Sequence, residues 1–85
     1  PVIGVDYALE YGTARMELRP ETVTKGARVL VIDDVLATGG TASASISLIE
    51  QAGASVEAIC MLLELSDLDG RRQLQGREVD SIVIF

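Results

Sequence analysis

Hydrophobic and polar positions change period several times along the chain. The first nineteen residues, Pro1 to Arg19, mix short apolar–polar alternation with the stretch YALEYG, a hairpin-like pattern. Loop signals follow at Pro20 and at Lys25-Gly26. From Ala27 or Arg28 through Asp33 the chain reads as a strand. Its unbroken Val29-Leu30-Val31-Ile32 run predicts a strand covered on both faces, as in a parallel sheet between helices. Gly40 or Thr41 through Ala52 reads as a helix. Ala42, Ile46 and Ile49 fall at i, i+4 and i+7, Leu48 and Ala52 lie alongside, and Gly53 is placed to end it. Ser43, Ser45 and Ser47 fall on less buried faces. Ser55 to Glu64 reads as a second strand, DLDGRRQLQG as a short helix and turn, and Val79 to Phe85 as a last strand.

Strands alternating with helices imply an α/β fold, a Rossmann-like partial parallel sheet with right-handed crossovers, preceded by the hairpin-like segment. Residues 1 to 85 form one small domain at most. One substantial helix cannot cover both faces of the sheet, so the piece reads as the back half of a larger α/β domain.

Composition narrows the function. Apolar residues make up 48% of the chain, which suits a folded core. The net charge of −6 argues against nucleic acid as a partner, which wants a basic face. No apolar run approaches a membrane span, and no basic start leads into an apolar stretch, so neither a membrane nor secretion is expected. Histidine is absent, which removes the commonest general base and any histidine-held metal. Cys60 stands alone among aliphatic residues and is expected to be a buried thiol in a reducing, cytoplasmic compartment.

The chemistry concentrates after the first buried strand. In an open parallel sheet, ligands sit beyond the carboxyl ends of the strands. Gly39 and Gly40 allow a tight turn there, and the amides of Thr38 to Thr41 would converge at a helix start, a pocket for a phosphate. The plain alternative is a strand-to-helix turn capped by Thr41. Asp33 and Asp34 favour the pocket. Adjacent carboxylates repel at close range, and paired sugar hydroxyls give them partners. A ribose 5-phosphate then fits end to end, hydroxyls on the acids and phosphate in the turn. The other reading of the acids is two solvated strand-end carboxylates.

VLVIDDVLATGGTA resembles the phosphoribosyl-diphosphate signature of type I phosphoribosyltransferases: a hydrophobic run, two acids, two apolar residues and a small-Thr-Gly-Gly-Thr loop. YALEYGTARMEL and LLELSDLDGRRQLQG are similar to segments of the adenine-specific members of that family. The resemblance covers nearly the whole chain and corresponds to the family's C-terminal half. It implies that Asp33 and Asp34 hold the ribose hydroxyls and that Ala37, Thr38, Gly39, Gly40 and Thr41 wrap the 5′-phosphate. Val35 would pack on the purine, Glu10 would be the acid/base candidate, and Tyr11 would belong to a loop closing over the site. It further implies phosphoribosyl diphosphate, adenine and AMP as ligands and a homodimer in the complete protein. Mg2+ would be carried through the substrate near Asp33 and Asp34 rather than bound directly.

The implied reaction displaces pyrophosphate from ribose C1 by a nitrogen of adenine. The substrate is highly anionic, and Arg15, Arg19, Lys25, Arg28, Arg71, Arg72 and Arg77 are the only cations. None lies in the signature loop. In the family, the basic pyrophosphate residues and the hood that reads the base precede the region seen here. The chain alone is therefore expected to keep the ribose-phosphate cradle with little transferase activity. Alternatives are a non-catalytic regulator sensing phosphoribosyl diphosphate, and a transferase for xanthine or another purine. A receiver-like signalling domain fits poorly, because its acids come from separate strands.

Overall fold

The computed structural model describes residues 2 to 9 and 11 to 85, Leu9 by its backbone alone. Strands β1 (Ile3–Leu9) and β2 (Gly12–Leu18) form an antiparallel hairpin, in register from Ile3 opposite Leu18 to Leu9 opposite Gly12. A second, parallel sheet has the order β3 (Arg28–Leu36), β4 (Ser55–Glu64), β5 (Val79–Ile84). Helix α1 (Gly40–Gln51) crosses from β3 to β4, and short 3-10 turns at Ser66–Leu68 and Gly70–Leu74 lead from β4 towards β5. The expected α/β architecture is therefore present, hairpin included.

Helix α1 ends as Gly53 predicts. Gly53 takes a positive φ of 95°, its N–H donates to Glu50 C=O (3.1 Å), and Ala54 N–H donates to Ile49 C=O (3.2 Å). This double closure satisfies carbonyls that the helix end would otherwise leave open. Buried Ala42, Ala44, Ile46 and Leu48 alternate with half-buried Ser43, Ser45 and Ser47. That pattern is broader than one helical stripe. The sheet lies on one side of α1 and the hairpin on another, so a wider arc of the helix is covered. Ser45 Oγ donates to Thr41 C=O (2.9 Å) and lies 3.4 Å from Met16 Sδ of β2.

Leu36, Ile59 and Met61 are the most deeply buried large side chains and pack with Ala42, Ile46 and Leu74 between sheet and helix. Each such side chain contributes about 1.5–3 kcal/mol of transfer free energy. The opposite face of the sheet is bare, contrary to the expectation from the aliphatic run. Leu30 is 55% exposed, Ile32 71% and Ile82 70%. Strand alternation sends Val29 and Val31 towards α1 and Leu30 and Ile32 away from it, where no element lies among the described residues. Cys60, level with Ile32 in the register, is consequently half-buried rather than buried.

Candidate functional site: the strand-to-helix junction

β3 runs three residues further than expected, to Leu36, because Asp33, Val35 and Leu36 stay in register with Met61, Leu63 and Glu64 of β4. Both acids therefore lie on the strand. The in–out burial pattern continues through Asp34, which places Asp33, half-buried, and Asp34, exposed, on opposite faces. The close-range repulsion expected between them is relieved by that geometry. Each Oδ1 accepts from the next amide: Asp34 N–H donates to Asp33 (2.8 Å) and Val35 N–H to Asp34 (2.8 Å). Each carboxylate is thus held against the amide of the residue that follows it. Their Oδ2 atoms have no partner among the described residues.

The alternation breaks at Val35, which stays 39% exposed, and Leu36 turns into the core. The chain then bends through Ala37 to Gly39. Gly39 is buried, has a φ of +89° and precedes the helix, its C=O accepting the first helical bond from Ser43 N–H (2.9 Å). No side chain caps this end, so Thr41 is not the cap; it is exposed in the first turn. Among the described residues, the amides of residues 37 to 39 donate to no protein acceptor. Those of Gly40 to Ala42 precede the first i−4 bond and have no helical partner. Six successive N–H groups are thus without a protein acceptor among the described residues, beside a cavity of about 60 Å3 lined by residues 35 to 42. Unpaired amides at the positive end of a helix dipole favour an anion.

The loop is gripped from two sides. A methyl on Gly40 would sit 3.1 Å from Ala8 C=O of β1. A methyl on Gly39 would sit 2.5 Å from Gly70 C=O and 3.0 Å from Gln73 Cβ. Half-buried Tyr7 stands beside Gly40, while Tyr11 at the hairpin tip is 94% exposed. Glu10 lies outside the described residues.

Three arginines are already engaged. Arg15 pairs with Asp6 (3.3 Å) and Glu17 (3.1 Å), Arg77 with Glu50 (2.7 Å), and Arg71 with Glu64 (2.8 Å). Arg72 instead lines a groove with Thr38, Leu68, Asp69 and Gln73 at the edge of the loop. Glu64 is only 5% exposed. It also accepts from Ser81 Oγ (2.7 Å), and the Arg71 and Ser81 bonds hold its carboxyl below the ordinary range. Glu64, Gly70, Arg72 and Gln73 reach the loop region through tertiary packing, and the sequence pattern did not single them out. No group of three or more potential metal-ligating side chains occurs among the described residues.

A three-strand parallel sheet with a glycine turn between its first strand and a crossover helix, and two acids leading into that turn, defines an α/β domain of Rossmann-like type. The phosphoribosyl transferase domain family matches residues 5–83, and the chain belongs to that family. It is 60% identical over 79 residues to the adenine phosphoribosyltransferase of Kineococcus radiotolerans, covering 93% of this chain and 43% of that protein. The chain spans about half the length of the curated relatives it matches. Among solved structures it superposes on adenine phosphoribosyltransferase from Thermoanaerobacter pseudethanolicus with a TM-score of 0.94 at 44% identity, covering 99% of this chain and 49% of that one. The enzyme from Saccharomyces cerevisiae, solved with an imino-altritol bisphosphate and adenine, matches with a TM-score of 0.90 at 30% identity, covering 96% and 46%. The fold is the C-terminal half of the type I phosphoribosyltransferase architecture.

Proposed function

We infer that residues 1 to 85 are the ribose-phosphate-holding part of an adenine phosphoribosyltransferase, a cytoplasmic, homodimeric purine-salvage enzyme in its complete form. It would transfer the phosphoribosyl group of phosphoribosyl diphosphate to adenine, giving AMP and pyrophosphate. The observation that carries this reading is the row of unpaired amides directly after two acids whose Oδ2 atoms are open.

Each residue then has a task. The amides of Ala37 to Thr41 hold the 5′-phosphate, and this remote contact positions ribose C1. Asp33 and Asp34 accept the ribose hydroxyls and favour the positive charge that develops on the ring. Exposed Val35 offers an apolar surface to the purine. Glu10 is the candidate for proton exchange with the base, and Tyr11 belongs to the hairpin tip that would close against water. Two open carboxylates with no third ligating side chain grouped with them among the described residues suit magnesium carried by the substrate. Bound there, it would neutralise diphosphate charge. None of the seven cations lies in the phosphate loop itself, and Arg72 lines the groove at its edge; the other pyrophosphate cations would come from the part of the enzyme that precedes this region in the family.

The test is an exchange. The matching C-terminal half of the Kineococcus radiotolerans relative is replaced by this chain, and AMP formation is followed from adenine and phosphoribosyl diphosphate. The folded hybrid is expected to make AMP, and the 85-residue chain alone to make little or none. A folded hybrid that binds phosphoribosyl diphosphate without making AMP would point to the sensing role instead. Product from xanthine but not adenine would reassign the base.

A further inference from the structure

The segment Leu65 to Leu74 carries no role in the reaction above, yet it packs directly behind the phosphate loop. Leu65 N–H donates to Leu36 C=O (3.0 Å), the last strand residue before the loop. Gly70 is buried and does not have a positive φ, so its lack of a side chain answers a spatial demand. A methyl there would collide with the Ala37 carbonyl oxygen and sit 2.9 Å from Leu36 Cδ1. Gly39 makes the reciprocal approach to Gly70 C=O. The two glycines let the loop and the turn behind it share one narrow space.

Gly70 is itself pinned by its neighbour. Arg71 Nε donates to both oxygens of Glu64 (3.0 and 2.8 Å), and Arg71 Nη1 donates to Val79 C=O (3.1 Å). Ser81 Oγ completes the Glu64 carboxylate (2.7 Å). One guanidinium therefore ties the turn to the ends of both β4 and β5. A buried carboxylate with these partners has a fixed position: losing Arg71 would leave its charge uncompensated, and losing Ser81 would leave one oxygen short of a donor.

We propose that Gly70, held by the Glu64–Arg71–Ser81 cluster, is the positioning element of the phosphate loop, setting the spacing of the Ala37 to Thr41 amides from behind. It touches no substrate; it acts through Leu36, Ala37 and Gly39. The functional consequence rests on the phosphate-loop reading given above.

The experiment compares amide spectra of the ligand-free chain with those of Gly70→Ala and Arg71→Lys, then measures affinity for inorganic phosphate. Gly70→Ala is expected to shift the resonances of residues 36 to 41 before any ligand is added and to weaken phosphate binding about tenfold, since small misplacements of binding groups are costly. Arg71→Lys keeps a charge for Glu64 but cannot also reach Val79, so it should move the same resonances and weaken binding about threefold. Val56→Ala, at the far end of β4, controls for lost stability and should leave phosphate affinity unchanged. A folded Gly70→Ala chain with unmoved loop resonances and unaltered phosphate affinity overturns the proposal. If that variant does not fold, Arg71→Lys decides on the same terms. A wild-type chain that ignores phosphate would defeat the functional reading, while the ligand-free spectra would still decide the positioning role.

Discussion

Gly39→Ala is expected to cost the chain about 2–4 kcal/mol and to abolish phosphate binding by the junction. Two effects add. The φ of +89° lies where an L side chain is strained by about 1–2 kcal/mol. The new methyl would also meet the Gly70 carbonyl oxygen at 2.5 Å and Gln73 Cβ at 3.0 Å, and the backbone carbonyl has little room to yield. Relief requires rotation of the peptide planes around residue 39, which turns the neighbouring amides away from their common focus. Thermal unfolding measures the first effect and phosphate titration the second. An alanine variant with wild-type stability and affinity would mean that neither the strain nor the close approach is real.

Asp33→Asn and Asp34→Asn should each lower turnover of the hybrid enzyme by about a hundredfold, while stability changes by no more than about 0.5 kcal/mol. Asparagine retains an Oδ1 that can accept from the following amide, so the local bonds at 2.8 Å survive. What disappears is the negative charge that the proposed function sets under the sugar. Because the cationic ring exists only near the transition state, the loss should fall on kcat more than on KM. Turnover within about threefold of the unsubstituted hybrid would assign the acids to solvated strand ends.

Much of this architecture was legible in the sequence, for identifiable reasons. The bounds of β4, Ser55–Glu64, were readable because turn residues flank a continuous apolar run. Helix α1 announced itself by period and by Gly53. The end of β3 was less clear, since two acids and a glycine turn resemble loop, whereas the ladder to Met61, Leu63 and Glu64 keeps them on the strand. The aliphatic run at residues 29 to 32 predicted two covered faces, but Leu30 and Ile32 project from the side where the described residues provide no cover. At the site, Gly39 and the acids were visible as a local motif. Gly70 and Arg72 were not, because their closeness to the loop arises from the path of the chain after β4. Glu64 ended an apolar run and gave no sign that it would be buried against Arg71.

The most direct test of the ribose-phosphate cradle is an amide-resolved titration of the chain with ribose 5-phosphate. The resonances of residues 37 to 42 are expected to move most, followed by those of Asp34 and Val35, and inorganic phosphate should reproduce only the loop shifts. Shifts centred elsewhere, or a loop that stays silent while ligand binds, would contradict the cradle.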